Sequence, residues 1–584
     1  MKKYSVREPL SGSNLLNQLL FYRGVKTAEE IDFFLNPDYE KHVHDPFLLK
    51  DMDKAVERIL KAIRADGGVG EKTVIYSDYD TDGIPGGVIL HDFFKKAGFT
   101  NFTNYIPHRH DEGFGLNSYA IKQFIADGVK LLITIDCGIA DTAHVKEAMD
   151  AGIDVIITDH HLPPNDRAEI PPAFAIVNPK QVGCEYPEKM LCGSGVVFKL
   201  IQGILKKDRL GIKEGWEKWL LDMVGIATLS DMVPLTGENR IFAYYGLTVL
   251  RKSPRLGIMR LLRELGVDQR YLTEDDIGFT IGPRINAASR MGVPMDAFRL
   301  LATNDPTEAE QFAKHLNKIN DERKGTVAAI VKDVKKTIEK RWGANGEKMP
   351  YVLVLGNPEW KPALAGLVAN TLAEKYSRPV FIWGRDGDGV IKGSCRSEGE
   401  TNLVELMRLA DAGFIQYGGH AFSGGFSISN EGIHALPEKL NEGYQKLQRE
   451  KLAGTIINDV TFIDRDMLLD GVTWDTYRVI EKLAPFGMAN PKPLFMFKNV
   501  VPSSVRQFGK EKNHLEIVFE DLYGMNSLQR PVKAIGFFMT ASDWQESIGG
   551  SIVVGKPITL VAHFEKSIFR GKTELRLRIV DVIL

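Results

Sequence analysis

Thr73-Val74-Ile75-Tyr76-Ser77-Asp78-Tyr79-Asp80-Thr81-Asp82-Gly83 runs from a short β-branched, aromatic stretch straight into three carboxylates. The apolar run reads as a buried strand, and the segment after it, IPGGVILHDFFKKAG, as a helix. Outward from this point, from about residue 72 to 180, NYIP, LLITI, VIIT and AFAIV alternate with helical stretches such as TAHVKEAMDAG. That is the βαβ rhythm of a parallel sheet covered on both faces, so an α/β fold is predicted. Asp78 follows TVIYS, Asp136 follows LLITI, and Asp159, His160 and His161 follow VIIT. In open α/β sheets ligands bind outside the carboxyl ends of the strands, so three clusters distant in sequence are expected to meet in one crevice.

Three carboxylates within five residues repel one another unless a cation or a proton intervenes, which points to a hard-metal site; a solvated acidic turn is the competing reading. The DxDxDG pattern also resembles the start of an EF-hand, but the bidentate Glu required at the twelfth loop position is here Ile89, and a strand precedes the motif. Asp136 in TIDCG and the pair His160-His161 add donors suited to Mn2+ or another divalent ion. Asp231, in LSDMVPL, taken alone reads first as a helix cap and second as a further ligand.

The chain has 584 residues, enough for about three or four domains at roughly 100–200 residues each. With 44% apolar and 26% charged residues, no uninterrupted apolar span of membrane length and no secretory leader pattern, it reads as a soluble cytoplasmic protein with no membrane partner. Cys137, Cys184, Cys192 and Cys395 form no CxxC pair, which argues against a zinc ribbon or an iron–sulfur cluster. A net charge of −2 gives no global basic signal, so any nucleic-acid binding must be local. Apolar residues near helical spacing between 305 and 342 predict one or two long amphipathic helices. A second α/β pattern begins at YVLVLGNP and ends after a glycine-rich stretch around Gly418 and Gly424, which reads as ordinary turns or as backbone that approaches a ligand closely. Beyond about residue 456, PLFMFKNV, HLEIVFE, VKAIGFF, PITLVAHFEK and TELRLRIVDV predict a small β-barrel.

In order and spacing, DYDTDG, TIDCG, DHH and SDMVPL resemble four motifs of the DHH phosphoesterase superfamily. PHRHDEGFGL, GPRINAASRMG, GSCRS and YGGH followed by SGG resemble further blocks of its single-strand-specific exonuclease branch. The likeness covers most of the chain and implies a parallel-sheet DHH domain, long helices, a smaller α/β DHH-associated domain and an OB-like barrel. The expected boundaries are an N-terminal segment at 1–50 packing on the core, then 51–240, a connector at 241–345, 346–453 and 454–584. By motif, Asp136 would bridge two divalent ions, Mn2+ foremost and Mg2+ as the alternative. Asp80 would bind one, and Asp82, His160 and Asp231 the other. Asp78 would be a further ligand or a supporting group, and His161 would face the scissile phosphate.

Exonuclease action needs a feature that recognises a strand terminus. Ser394 and Arg396 offer a hydroxyl and a guanidinium fork suited to a terminal phosphate; either they do this or Arg396 is a surface ion-pair residue. The resemblance adds Arg109 to that pair and makes His420 a substrate contact. Phe114 suits stacking on a base, and Arg284, Asn286 and Arg290 supply phosphate donors. Two departures from the family pattern are Ser289, where glycine is usual, and Trp360 to Leu364, where a histidine and a glycine are more usual.

The leading expectation is 5′→3′ hydrolysis of single-stranded DNA to mononucleotides in recombination and repair, alongside a single-strand-binding protein and a helicase. The alternatives are a phosphodiesterase for short RNA or cyclic dinucleotides, a non-catalytic replication scaffold and a pyrophosphatase. The predicted barrel and the complete ligand set weigh against all three.

Overall fold

The computed structural model describes residues 3–343, 349–387, 389–398, 401–410, 413–452, 460–509, 512–520, 530–537, 551–569 and 572–584. They form two compact units, one of residues 44–233 and 245–456, the other of residues 1–43, 234–244 and 457–584. The expected boundary at 453/454 lies outside the described residues. Among those described, no helix is long and apolar enough to cross a membrane.

The larger unit holds an all-parallel five-stranded sheet in the order Phe102–Tyr105, Thr73–Ser77, Leu131–Ile135, Asp154–Thr158, Ala175–Val177. All five residues of Thr73–Ser77 and of Leu131–Ile135 are buried, which is why these strands read as continuous apolar runs instead of alternating ones. The strand order reverses between Thr73–Ser77 and Leu131–Ile135, and such a switch point opens a crevice at the carboxyl edge. Asp78 and Asp136 emerge there from adjacent strands.

Two helices carry further site residues to this edge and are pinned at their far ends by one cation. Gly83–Lys96 begins just after Asp82 and contains Asp92; Leu221–Ser230 contains Asp222 and ends at Asp231. The Arg255 guanidinium bonds Asp222 at 3.0 Å and Asp92 at 2.9 Å, with its side chain only 13% exposed. Replacing Arg255 by Met leaves the buried Asp222 without its cation. Denaturant unfolding is expected to show a loss of about 3–5 kcal/mol.

The long-helix expectation resolves into one helix, Pro306–Trp342, capped by Asp305, which accepts from the amides of Thr307 and Glu308. Its distal stripe of Ile330, Val334 and Ile338 packs with Leu353, Val368 and Ile382 of the second sheet region. That sheet has the order Phe414–His420, Ser423–Ile428, Ile391–Arg396, Val380–Arg385, Leu353–Gly356, antiparallel except for its last pair. The glycines read as turns are a correction: Gly418 and Gly419 lie in one strand of a hairpin, Gly424 and Gly425 in the other. Close packing selects two of them, since a Cβ on Gly419 would lie 2.3 Å from the Ser423 carbonyl oxygen and one on Gly424 2.9 Å from Cys395 Sγ.

In the smaller unit a seven-stranded mixed sheet includes all five predicted strands together with Arg465–Asp466 and Ser504–Phe508. Residues 3–43 belong here and not with the parallel sheet, because Leu19, Leu20 and Phe34 join the core of Phe495, Phe497 and Phe519. The segment 234–244 joins them: buried Arg240 lies 3.6 Å over the Phe34 ring and donates to the carbonyls of Phe34, Leu483 and Ala484.

Candidate functional site

After Thr73–Ser77 the chain turns into the helix Gly83–Lys96. The Asp80 carboxylate tightens that turn, accepting from the amides of Asp82 at 2.8 Å and Gly83 at 3.1 Å. Asp136 takes a left-handed backbone with φ of 60°, a strained conformation of the kind that clusters at functional sites. His160 lies between the carboxylates. Its Nε2 is 3.2 Å from Asp136 and 3.8 Å from Asp82, and its Nδ1 is 3.8 Å from Asp231.

Three sets of donor atoms lie within 4.8 Å of one another: Asp78, Asp80 and Asp136; Asp82, His160 and Asp231; and Asp136, His160 and His161. All seven residues expected at the centre are therefore brought together, with Asp78 among the donors. Asp78 Oδ1, Asp136 Oδ1 and His160 Nδ1 are buried and make no hydrogen bond among the described residues. Buried donors without partners, in overlapping carboxylate and imidazole sets linked through Asp136 and His160, fit two divalent cations.

The electrostatics agree. Burial, then the charge of Asp80, holds the Asp78 carboxyl well above the usual range; burial and Asp82 do the same to Asp136. Asp82 is pushed up to about 6 by burial and Asp80, and Asp231 to about 8 by burial and Asp82. Burial pushes His160 down to about 3, leaving a neutral imidazole with a free lone pair. Burial also opposes charge on His161, but its 2.8 Å contact with Asp159 and the charges of Asp159, Asp78 and Asp82 outweigh it and raise it to about 9.

Three supporting groups had no assigned role in the sequence. Asp159 accepts from the amides of His160 and His161 and from the His161 ring, orienting the pair. The helix Gly193–Lys207 aims its N-terminus at Asp82, with the Gly193 and Ser194 amides 2.6 and 2.7 Å from its carboxylate. Lys180, its charge disfavoured by burial, faces Asp231, Asp159 and Asp136. Only Asp159 carried a visible signal, its place in the DHH triplet.

Beside this centre a cleft of about 410 Å³ is lined by Tyr79, Arg109, Phe114, Gly393 and Tyr417. Phe114 is 55% exposed and meets the His161 ring edge-on, with centroids 5.8 Å apart. Arg109 stacks 4.8 Å over Tyr79. Ser394 and Arg396 lie on the strand Ile391–Arg396, and the Arg396 guanidinium bonds the Cys395 carbonyl. Arg290 is pushed down to about 9 by burial and by Arg109, Arg323 and Arg396, so these guanidiniums gather in one region. Arg323 is an addition to the expected set. Arg284 is tied to Asn317 and the Thr280 carbonyl, and Asn286 is half-buried one turn before Arg290. His420 is exposed at the end of its strand, in register with Ser423, which in turn pairs with Arg396.

A Cβ on Gly193 would lie 2.6 Å from Asp136 Oδ1, so Gly193→Ala is expected to weaken Mn2+ binding by about 10–100-fold in calorimetric titration. In chelator-treated protein the neutral carboxyls of Asp82 and Asp231 favour the fold below their unfolded pKa of about 4, and that stabilisation is lost as pH rises through about 6 and then about 8. The metal-free Tm should therefore fall between pH 5 and 9, while the increment restored by Mn2+ grows. An increment independent of pH would contradict the ligand assignment.

Comparison with known proteins agrees with the geometry. Family models match the DHH family N-terminal domain over residues 72–228, the DHHA1 domain over 349–450 and the RecJ OB domain over 463–581. The chain is 34% identical over 587 residues to the single-stranded-DNA-specific exonuclease RecJ of Bacillus subtilis, covering 99% of this chain and 69% of that one. It is 31% identical over 534 residues to the protein of the same name from Haemophilus influenzae, covering 90% of each. The crystal structure of RecJ in complex with Mn2+ from Thermus thermophilus has a TM-score of 0.76 at 24% identity, covering 97% of this chain and 75% of that one. A second structure of that protein is a complex with Mg2+, with a TM-score of 0.71 at 23% identity, covering 98% and 74%. By sequence, domain content and fold, this chain belongs to the RecJ family of DHH exonucleases.

Proposed function

We propose that the chain hydrolyses single-stranded DNA from its 5′ end, releasing mononucleotides, with two divalent cations held by Asp78, Asp80, Asp82, Asp136, His160 and Asp231. The observation that carries this reading is the set of donor groups Asp78, Asp80 and Asp136 beside Asp82, His160 and Asp231, with His160 Nε2 3.2 Å from Asp136, opening beside a cleft lined by the exposed Phe114 ring and Arg109.

When bound, the cations lower the pKa of water and neutralise charge on the phosphate. The chain's own groups do the rest. Asp136, whose carboxylate lies within reach of both the Asp78–Asp80 donors and His160, would be a ligand common to both cations. Asp159 holds the His161 ring in one orientation, and a protonated His161 donates a hydrogen bond to a non-bridging oxygen as negative charge develops. Phe114, edge-on to His161, offers a face on which the base next to the reacting phosphate stacks. Arg109, Ser394 and Arg396 receive the terminal phosphate, with Arg290 behind them; that charge-assisted contact favours a strand end over an internal segment. The C-terminal sheet offers a further single-strand contact at Arg576 and Arg578, whose guanidiniums lie 5.6 and 4.0 Å over Phe537. A cytoplasmic setting, with a single-strand-binding protein and a helicase supplying the strand, completes the reading.

Digestion of 5′-labelled and 3′-labelled strands with Mn2+ or Mg2+, beside duplex, short RNA and cyclic dinucleotide controls, tests it. Mononucleotides should appear from the 5′ label first; faster hydrolysis of a cyclic dinucleotide would overturn the reading. Asp136→Ala should abolish turnover, and His161→Ala should lower kcat by about 10²–10³-fold. Arg396→Ala should lower kcat/KM by about 10–100-fold on 5′-phosphorylated strands and little on 5′-hydroxyl strands.

A further inference from the structure

The segment Ile277–Ile281 is a single π-helical turn, in which the Gly282 amide bonds the Ile277 carbonyl five residues back. Pro283 accounts for it: with no amide to offer the Phe279 carbonyl, it leaves the α-helical ladder one bond short. Turns of this kind occur frequently at functional sites. This one is fastened against the metal centre. Thr81, between Asp80 and Asp82, donates to the Gly282 carbonyl at 3.2 Å, and a Cβ on Gly282 would lie 3.2 Å from Oγ of Ser230, the residue before Asp231. Arg284 holds the other flank, donating to the Thr280 carbonyl at 2.8 Å.

Phe279 projects from this turn and is 79% exposed, the most exposed large apolar side chain among the described residues. Met232, directly after Asp231, is 64% exposed and left-handed, with φ of 57°. Glycine is the residue that such a helix end favours, so an apolar side chain is held here against backbone strain. So exposed, neither side chain adds to a core, yet both stand on segments that adjoin the metal ligands. Their side of the centre is also defined. The cleft with Arg109 and Phe114 adjoins the Asp78–Asp80 turn through Tyr79, whereas Met232 follows Asp231 of the other donor set. A strand whose 5′ end lies in the cleft therefore leaves the centre past Met232 and Phe279.

We propose that Met232 and Phe279 form an apolar rest for the bases of the second and third nucleotides, those on the 3′ side of the scissile bond, and thereby favour strands whose bases are unpaired. Every base presents a π-face to a phenyl ring or a thioether, so the rest is indifferent to sequence. In a duplex the same faces are stacked between neighbouring pairs, and exposing them costs unstacking. The assignment rests on the function proposed above, which supplies the direction of the strand.

Release of the first nucleotide from single strands carrying a radioactive 5′-phosphate tests it, with the second and third nucleotides either intact or abasic. For the parent chain, removing both bases should lower kcat/KM by about 10–100-fold. In the double substitution Met232→Ala and Phe279→Ala the intact strand should lose that factor and the abasic strand should be cut as by the parent, so the difference between the two disappears. A blunt duplex, cut slowly by the parent, should be cut no more slowly by the double variant. Met232→Leu with Phe279→Tyr should restore the parent pattern. Because both side chains are exposed, the alanine variant should keep the parent's Tm and Mn2+ affinity; a fall in Mn2+ affinity that accounts for the lost rate would mark a structural role and overturn the proposal. A parent chain that cuts intact and abasic strands alike, or a double variant that still distinguishes them, would overturn it as well. A parent chain that cuts no single strand would refute the function proposed above, and this assignment with it.

Discussion

Five carboxylates, those of Asp78, Asp80, Asp82, Asp136 and Asp231, are forced into one crevice by strand and helix ends that have no other place to deliver them. Two like charges about 4 Å apart at an effective dielectric of ~20 repel by about 4 kcal/mol. Several such pairs together rival the whole stability of a domain, about 5–15 kcal/mol. A fold that keeps them must either protonate them or neutralise them with cations, and the raised carboxyl pKa values are the metal-free form of that choice. The surrounding structure holds the crowding in place: Arg255 fixes the far ends of two contributing helices, and Gly193 leaves room for Asp136.

Much of this was legible in the sequence because it depends on local pattern. TVIYS, LLITI and VIIT announce fully buried parallel strands, and the residue after each strand lands on the carboxyl edge by rule. Asp78 could not be assigned from spacing alone; its donor atom within reach of Asp80 and Asp136 depends on the turn that Asp80 organises. Ser194 and Gly193 were invisible because their effect is exerted on Asp82 and Asp136 across more than fifty residues of chain, through a helix terminus and a missing Cβ. The strands around Gly419 and Gly424 differ from the turn reading because glycine signals turns, whereas here tight sheet packing requires it at these two positions. That the N-terminal segment packs with the C-terminal strands was not legible in the sequence, since Leu19, Leu20 and Phe34 complete a core whose remaining buried members lie more than four hundred residues away.

The long helix Pro306–Trp342 ties the two sheets of the larger unit into one chemical problem. Its first half packs on the connector helices and its second half on the region that carries Arg396, so Arg323 at its middle lies where both meet. Guanidiniums gathered from Arg109, Arg290, Arg323 and Arg396 repel one another as the carboxylates do, with the opposite sign. The molecule thus holds an excess of negative charge beside an excess of positive charge, and in the function proposed above a strand with its metals would relieve both.

Low-temperature electron paramagnetic resonance of the chain titrated with Mn2+ tests the central claim most directly. Two ions sharing the Asp136 carboxylate should give a spin-coupled signal that saturates at two Mn2+ per chain. A single uncoupled Mn2+ per chain, or two that show no coupling, would contradict the account.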